Sequence, residues 1–198
     1  MRRLFLVAGL AVAVPCLSFA SPPQIGLFFD PEARVCCKEI GELDPGSLWV
    51  LALVDESFPP LVGAEFSVAG FPDGWQVFNA DVAFGISLGQ ALFGTAVGFQ
   101  VPQEASSGPI PLLELRYLST TIVPETQLRI EAHPSPSIPG FVAPLLIFQQ
   151  EPTGCQSVPV YEVVSVVGLE AIINGKCTTP VQDQTWDRVK GLYRDTTR

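Results

Sequence analysis

Between Leu112 and His133 the chain reads LLELRYLSTTIVPETQLRIEAH. Two runs within it alternate. In 112–118, Leu113, Leu115 and Tyr117 oppose Glu114 and Arg116; in 126–133, Leu128, Ile130 and Ala132 oppose Arg129, Glu131 and His133. Successive side chains of a strand point to opposite faces, so this period of two predicts strands with one dry and one wet face. If the two runs pair as a hairpin, charge chooses the register: Arg116 opposite Glu131 is favourable, Arg116 opposite Arg129 is not.

Outward from this stretch the chain is a series of short apolar, β-branched runs. Candidate strands are 24–29, 34–40, 47–54, 61–69, 75–79, 82–88, 92–99, 111–118, 126–133, 143–149 and 158–168. Turn residues punctuate them: Asp44-Pro45-Gly46, Pro59-Pro60, Pro72-Asp73-Gly74, Ser106 to Pro109, Pro134 to Gly140 and Asn174-Gly175. Many short strands at this spacing predict an all-β fold: an antiparallel β-sandwich, Ig-like or jelly-roll in type, or a barrel. Two runs, 47–54 (SLWVLALV) and 158–167 (VPVYEVVSVV), are apolar on both faces, which places them mid-sheet and covered on both sides. No internal repeat is present.

Composition agrees. The chain has 198 residues, 47% hydrophobic and 16% charged, room for one ordinary domain with a lightly charged surface. Its 19 prolines and 17 glycines discourage long helices. The net charge of −9 argues against nucleic acid, whose phosphates need Lys and Arg.

Residues 1–20 read as a secretory signal peptide. Arg2 and Arg3 supply the charged start, Leu4 to Val14 the apolar run, and Ser18-Phe19-Ala20 the small residues before a cut after Ala20. A membrane anchor needs about 20 apolar residues, and Pro15 interrupts this run. A lipoprotein signal ending at Cys16 is the variant reading. After cleavage the chain is not an integral membrane protein. Its place is extracytoplasmic: periplasm, cell surface or extracellular. Residues 21–180 then form the sandwich domain and 181–198 a tail.

Four cysteines remain in the mature chain: Cys36, Cys37, Cys155 and Cys177. An even count in an oxidising compartment predicts disulfides. Bonding the neighbours Cys36 and Cys37 to each other would make a strained ring. That leaves Cys36–Cys155 with Cys37–Cys177, or Cys36–Cys177 with Cys37–Cys155. Both tie the N-terminal region to the C-terminal region. The spacing lacks the paired CxxC knuckles of structural zinc sites.

The tail differs in kind. Thr185 caps a short α-helix from Trp186 to Arg194, with Trp186, Val189 and Leu192 or Tyr193 on one face and Arg188, Lys190 and Arg194 toward water. These apolar residues anchor the helix, on its own sandwich or on a partner.

Gly63-Ala64-Glu65-Phe66-Ser67-Val68, followed by Phe71-Pro72-Asp73-Gly74-Trp75, resembles secreted bacterial β-sandwich modules of the cohesin-like and carbohydrate-binding-like type. Gly46 to Ala52 fits their early strand. The tail Thr185-Trp186-Asp187-Arg188-Val189-Lys190-Gly191-Leu192-Tyr193-Arg194 is similar to an ending on uncharacterised secreted bacterial proteins. Neither resemblance carries a catalytic or binding residue across.

Signatures of chemistry are sparse. His133 is the only histidine, it precedes Pro134, and no GxSxG elbow exists; it reads as an exposed structural residue. A two-carboxylate glycosidase would draw on Glu65, Asp73, Asp81, Glu114 and Glu131, although solvated strand faces and turns account for these acids. Calcium could use Asp73, Asn79 and Asp81, or Asp30, Glu32 and Asp44, but neither group matches an EF-hand. P-loop, GxGxxG and CxxC motifs are absent. Among aromatics, Trp49 is expected in the core. Trp75, after a turn, either caps the core or contacts a ligand, since a flat ring covers the apolar face of a sugar.

The sequence therefore predicts a secreted, disulfide-stapled, non-catalytic sandwich without a cofactor, serving in binding or cell-surface structure. The alternatives are a carbohydrate-binding or cohesin-like recognition module, with polysaccharide or another surface protein as partner, and a two-carboxylate glycoside hydrolase.

Overall fold

The computed structural model describes residues 21–80, 85–105, 108–150 and 160–176. In chain order the strands are β1 (Gln24–Phe28), β2 (Cys37–Lys38), β3 (Pro45–Leu53), β4 (Leu61–Ala69), β5 (Gln76–Ala80), β6 (Gly85–Gln90) and β7 (Gly94–Gln103). They continue as β8 (Ile110–Leu118), β9 (Thr126–Glu131), β10 (Leu145–Gln150), β11 (Val160–Ser165), β12 (Val167–Leu169) and β13 (Ala171–Ile173). They form two sheets, and the described part of the chain is almost wholly β. A narrow sheet runs β12-β1-β3-β8-β5; a wide sheet runs β11-β10-β4-β9-β13-β2, with β7 added on β4 and β6 on β7.

One core fills the space between the sheets. The narrow sheet contributes Ile25, Leu27, Leu48, Val50, Leu113, Leu115 and Tyr117; the wide sheet contributes Ala64, Phe66, Val68, Val97, Leu128, Leu146 and Phe148. Phe66 and Phe148 are fully buried, and each contributes about 1.5–3 kcal/mol by leaving water. Tyr117 lies opposite Gly46 across the β3–β8 pair. A Cβ at Gly46 would collide with the Tyr117 ring, so the large side chain requires the small one.

Several expectations change. The alternating runs 112–118 and 126–133 are strands, but they do not pair: β8 lies between β3 and β5, while β9 lies between β4 and β13. Arg116 finds Glu114 on its own strand, and Arg129 finds Glu170. The run 47–54 does sit mid-sheet as β3, between β1 and β8. The described part of the run 158–167, from Val160 on, does not. It divides at Val166, whose N–H donates to Pro144 O, into β11 at the outer edge of the wide sheet and β12 at the edge of the narrow one. Val160, Tyr161 and Val167 are accordingly exposed. Apolar composition served a crossover between sheets rather than a doubly covered strand.

The segment 34–40 supplies only the two-residue β2. The three residues of β13 escape a periodicity test altogether. They are held by Asn174, which follows them at φ 54°. Its side-chain amide accepts from Ile40 N and donates to Ile40 O and Val123 O. The sandwich is antiparallel except for two parallel pairings, β12 with β1 and β13 with β2. Both bring late strands beside early ones. The tail helix over 186–194 lies outside the described residues, as does the signal segment 1–20.

Candidate functional site

Trp75 begins at a turn that the sequence already marks. Pro72, Asp73 and Gly74, with Gly74 at φ +83°, close on a Trp75 N–H to Pro72 O bond of 3.3 Å, the form of a turn needing glycine at its third position. The indole then enters the core edge. It is 8% exposed, stacks on Tyr117 at 5.4 Å between centroids and donates from Nε1 to Thr121 O at 3.3 Å. The ring faces Tyr117, not solvent.

Trp49 is placed the other way. Leu48, Val50 and Ala52 belong to the core, so alternation directs Ser47 and Trp49 to the outer face of the narrow sheet. Trp49 is half-buried there rather than a core residue, correcting the expectation from its apolar strand. Ser47 was the local hint of a wet face. Register completes the surroundings. Ser47, Arg116 and Phe78 lie abreast on β3, β8 and β5; Trp49, Glu114 and Ala80 lie abreast in the adjacent row. Trp49 and Phe78 thus occupy opposite corners of a small grid, with Glu114 and Arg116 between them. The Glu114 carboxylate accepts from Ser47 Oγ at 2.6 Å, Arg116 Nε at 3.3 Å and Arg116 Nη2 at 3.2 Å. The Arg116 guanidinium, helped by the Ser47 hydroxyl, holds the Glu114 carboxyl below its usual range despite its partial burial. Phe78 is 58% exposed.

The outer face of the wide sheet is different. One in-register row runs across five strands: Ile86 on β6, Gly98 on β7, Gly63 on β4, Ile147 on β10 and Val163 on β11. Gly98 is open, since a Cβ there would meet no atom within 4 Å, whereas Gly63 is buried and a Cβ there would stand 2.7 Å from Val97 O. Ile86 is 52% exposed, and Leu88, two residues on, 70%. The next row contains Glu65, covered by the strap 132–144 that joins β9 to β10. Glu65 accepts from Ser137 N at 2.9 Å and from Ser137 Oγ. His133 opens the strap over Gly94, where an added Cβ would stand 2.7 Å from Nε2; its Nδ1 accepts from Ser135 N at 3.0 Å.

Between β5 and β6 lies a cavity of about 290 Å³ lined by Phe78, Asn79, Ser87, Gln90 and neighbours. Asn79 ties its two sides, donating to Gly89 O and accepting from Ala91 N.

Glu65 and Glu114 do not converge, whereas Glu131, opposite Ser67, shares with Glu65 the outer face of the wide sheet. Glu65 lies on the outside of the wide sheet, Glu114 on the outside of the narrow one, with the core between them. That separation rules this pair out of action on one glycosidic bond. Asp81 lies outside the described residues. Asp30, a calcium candidate, instead accepts from Arg34 N and Val35 N within its own loop. Among the described residues no group of three or more His, Cys, Asp or Glu is placed to hold a metal ion, and no helix is long and apolar enough to cross a membrane. Cys36 and Cys37 stand at the start of β2. Cys155, Cys177, Trp186, Val189, Leu192 and Tyr193 lie outside the described residues.

No protein-family model matches the chain, and no curated protein matches it. Among solved structures, the chain is similar to R. flavefaciens' third ScaB cohesin in complex with a group 1 dockerin. The identity is 11% and the TM-score 0.38, covering 81% of this chain and 99% of that one.

Proposed function

We propose that this chain is a secreted, non-catalytic recognition module that seats a partner protein on the outer face of its wide sheet. The observation that carries the reading is the row Ile86, Gly98, Gly63, Ile147 and Val163. Five strands at about 4.8 Å spacing make it ~19 Å across. Soluble proteins seldom leave contiguous apolar surface open unless a partner covers it. Gly98, exposed and without a Cβ, lets another backbone or side chain approach closely.

The remainder of the proposal follows the chain. Residues 1–20 are a cleaved export signal, 21–180 the sandwich domain and 181–198 a helical tail, and the protein works outside the cytoplasm. Disulfides staple Cys36 and Cys37 to Cys155 and Cys177. The parallel β2–β13 pair supports this, because Ile172 lies opposite Cys37 and the chain reaches Cys177 four residues after Ile173. The module is non-catalytic: Glu114 lies across the core from Glu65 and Glu131, Glu65 is bonded to Ser137, and the ring of its sole histidine packs on Gly94.

The test is capture from the source organism's secreted proteins on the immobilised chain, with Gly98→Glu and Leu88→Glu alongside. A partner held by the parent and lost by both variants supports the reading. A partner held equally by all three would remove this face, and the absence of any partner would remove protein recognition.

A further inference from the structure

We infer that the C-terminal segment 181–198 docks as a helix on its own sandwich, at the end where β13 leaves it. Three loops meet there. Asp44 N donates to Ser119 Oγ at 2.8 Å, and Ser119 Oγ donates to Gly41 O at 2.6 Å. These bonds tie loop 39–44 to loop 119–125. The side-chain amide of Asn174, bonded to Ile40 and to Val123 O, adds the turn after β13. Leu43 and Ile122 stand on two of these loops, 68% and 69% exposed. Neither residue lies on a strand, so neither belongs to the faces described above. The same two loops carry exposed Glu39, Glu42 and Glu125. Lys38 and Lys176 are the bases beside them.

Reach, charge and the needs of the segment itself select this occupant. The chain leaves the sandwich against this end: a Cβ on Gly175 would stand 2.5 Å from Glu125 Cγ. The ten residues from Lys176 to Trp186 span up to ~33 Å when extended, ample for a return to both loops. Charge is complementary. Residues 187–198 hold four of the chain's 11 Lys and Arg, namely Arg188, Lys190, Arg194 and Arg198, against Asp187 and Asp195. The open row of the wide sheet offers no such match, because residues 82–103, which supply β6 and β7, contain no charged residue. The segment also needs a surface. A helix over 186–194 has nine residues, one of them Gly191, and so short a helix is marginal alone in water. Packing Trp186, Val189 and Leu192 or Tyr193 on Leu43 and Ile122 supplies the burial it lacks. Exposed ion pairs contribute little energy. Apolar contact therefore holds the helix, and charge sets its orientation.

The test is amide hydrogen exchange across 186–194 in the purified intact chain, with Leu43→Asp, Ile122→Asp, Glu125→Lys and Trp186→Ala alongside. In the parent these amides should exchange at least about tenfold more slowly than in an unstructured chain. Leu43→Asp and Ile122→Asp should each return them close to the unstructured rate. Glu125→Lys should speed them only about two- to threefold, as should 0.5 M salt, because surface charge is weak and screened. Trp186→Ala should release the segment and, in return, speed exchange within 41–44 and 119–123. It carries the decision if a loop variant misfolds, because it leaves both loops unaltered. Exchange of 186–194 at the unstructured rate in the parent overturns the inference. So does protection indifferent to both Leu43→Asp and Ile122→Asp. Protection removed by Gly98→Glu would place the segment on the wide face instead, and protection that fades on dilution would place it on a second copy; either result overturns the inference.

Discussion

The outer faces of the two sheets share a pleated backbone and a common core, yet they meet water in opposite ways. On the narrow sheet, Trp49 lies beside Phe28 across the β1–β3 pair, and a hydrogen-bonded ion pair separates it from exposed Phe78. On the wide sheet the open row is aliphatic around glycine, and its one buried carboxylate is bonded under a strap. The difference arises at alternate positions of the strands only. Leu48 and Val50 on β3, and Ala64 and Phe66 on β4, all enter one core; Ser47 and Trp49, or Gly63 and Glu65, decide what each surface can recognise. A sandwich can therefore change one face without repacking the other.

The widest test of that independence is the residue both faces rest on. Phe66→Ala should cost about 3–5 kcal/mol in urea unfolding through the cavity it leaves, and probes on the two faces should unfold together. A loss confined to one face would mean that the sheets do not share a core energetically.

Next comes a test on the inner side of the narrow sheet. Burial, with a smaller push from the Asp44 charge, raises the Tyr117 hydroxyl to about 12, above the usual ~10 of an unfolded chain. The folded state then holds its proton more tightly. Stability from this group is complete below about pH 10 and falls by roughly 1.4 kcal/mol per unit as pH climbs toward 12. Tyr117→Phe should flatten that alkaline slope. It should cost little at neutral pH, because the hydroxyl has no hydrogen-bond partner among the described residues. An equally steep alkaline loss in the variant would locate the effect elsewhere.

Glu65→Ala belongs to the wide face alone. It strands two donors of Ser137 and should cost about 1–3 kcal/mol, with faster proteolysis within 134–140. The lowered titration of Glu114 on the other face should stay where it is; a shift would show that the faces are coupled. The smallest effect is Ser47→Ala, at roughly 0.5–1.5 kcal/mol. One hydrogen bond to Glu114 goes, so that carboxyl should titrate at higher pH by carbon NMR. An unmoved titration would show that Arg116 alone sets it.

Strands with a clear period were legible from sequence. LVGAEFSVA became β4 over the expected residues, and 112–118 and 126–133 became β8 and β9. Partnership was not legible. A hairpin of β8 and β9 fails because loop 119–125 carries the chain from one sheet to the other, and alternation is indifferent to that choice. β11 and β12 were hidden by apolar residues that serve a crossover. Trp49 was hidden by aliphatic neighbours on both sides, with Ser47 the sole polar signal. The wide-face row was beyond reach for a plainer reason: it takes one residue from each of five strands, and no two of them share a strand.

The parallel pairings of β12 with β1 and β13 with β2 also set a timetable. Gln24 has Val167 as a neighbour, and Cys37 has Ile172. A chain emerging from its N-terminus, whether from a ribosome or through a translocation pore, must hold β1 and β2 without these edges until nearly the whole domain has followed. Contacts so distant in sequence slow folding into the millisecond-to-second range typical of β topologies. The sandwich thus stays open during emergence and closes from its last strands.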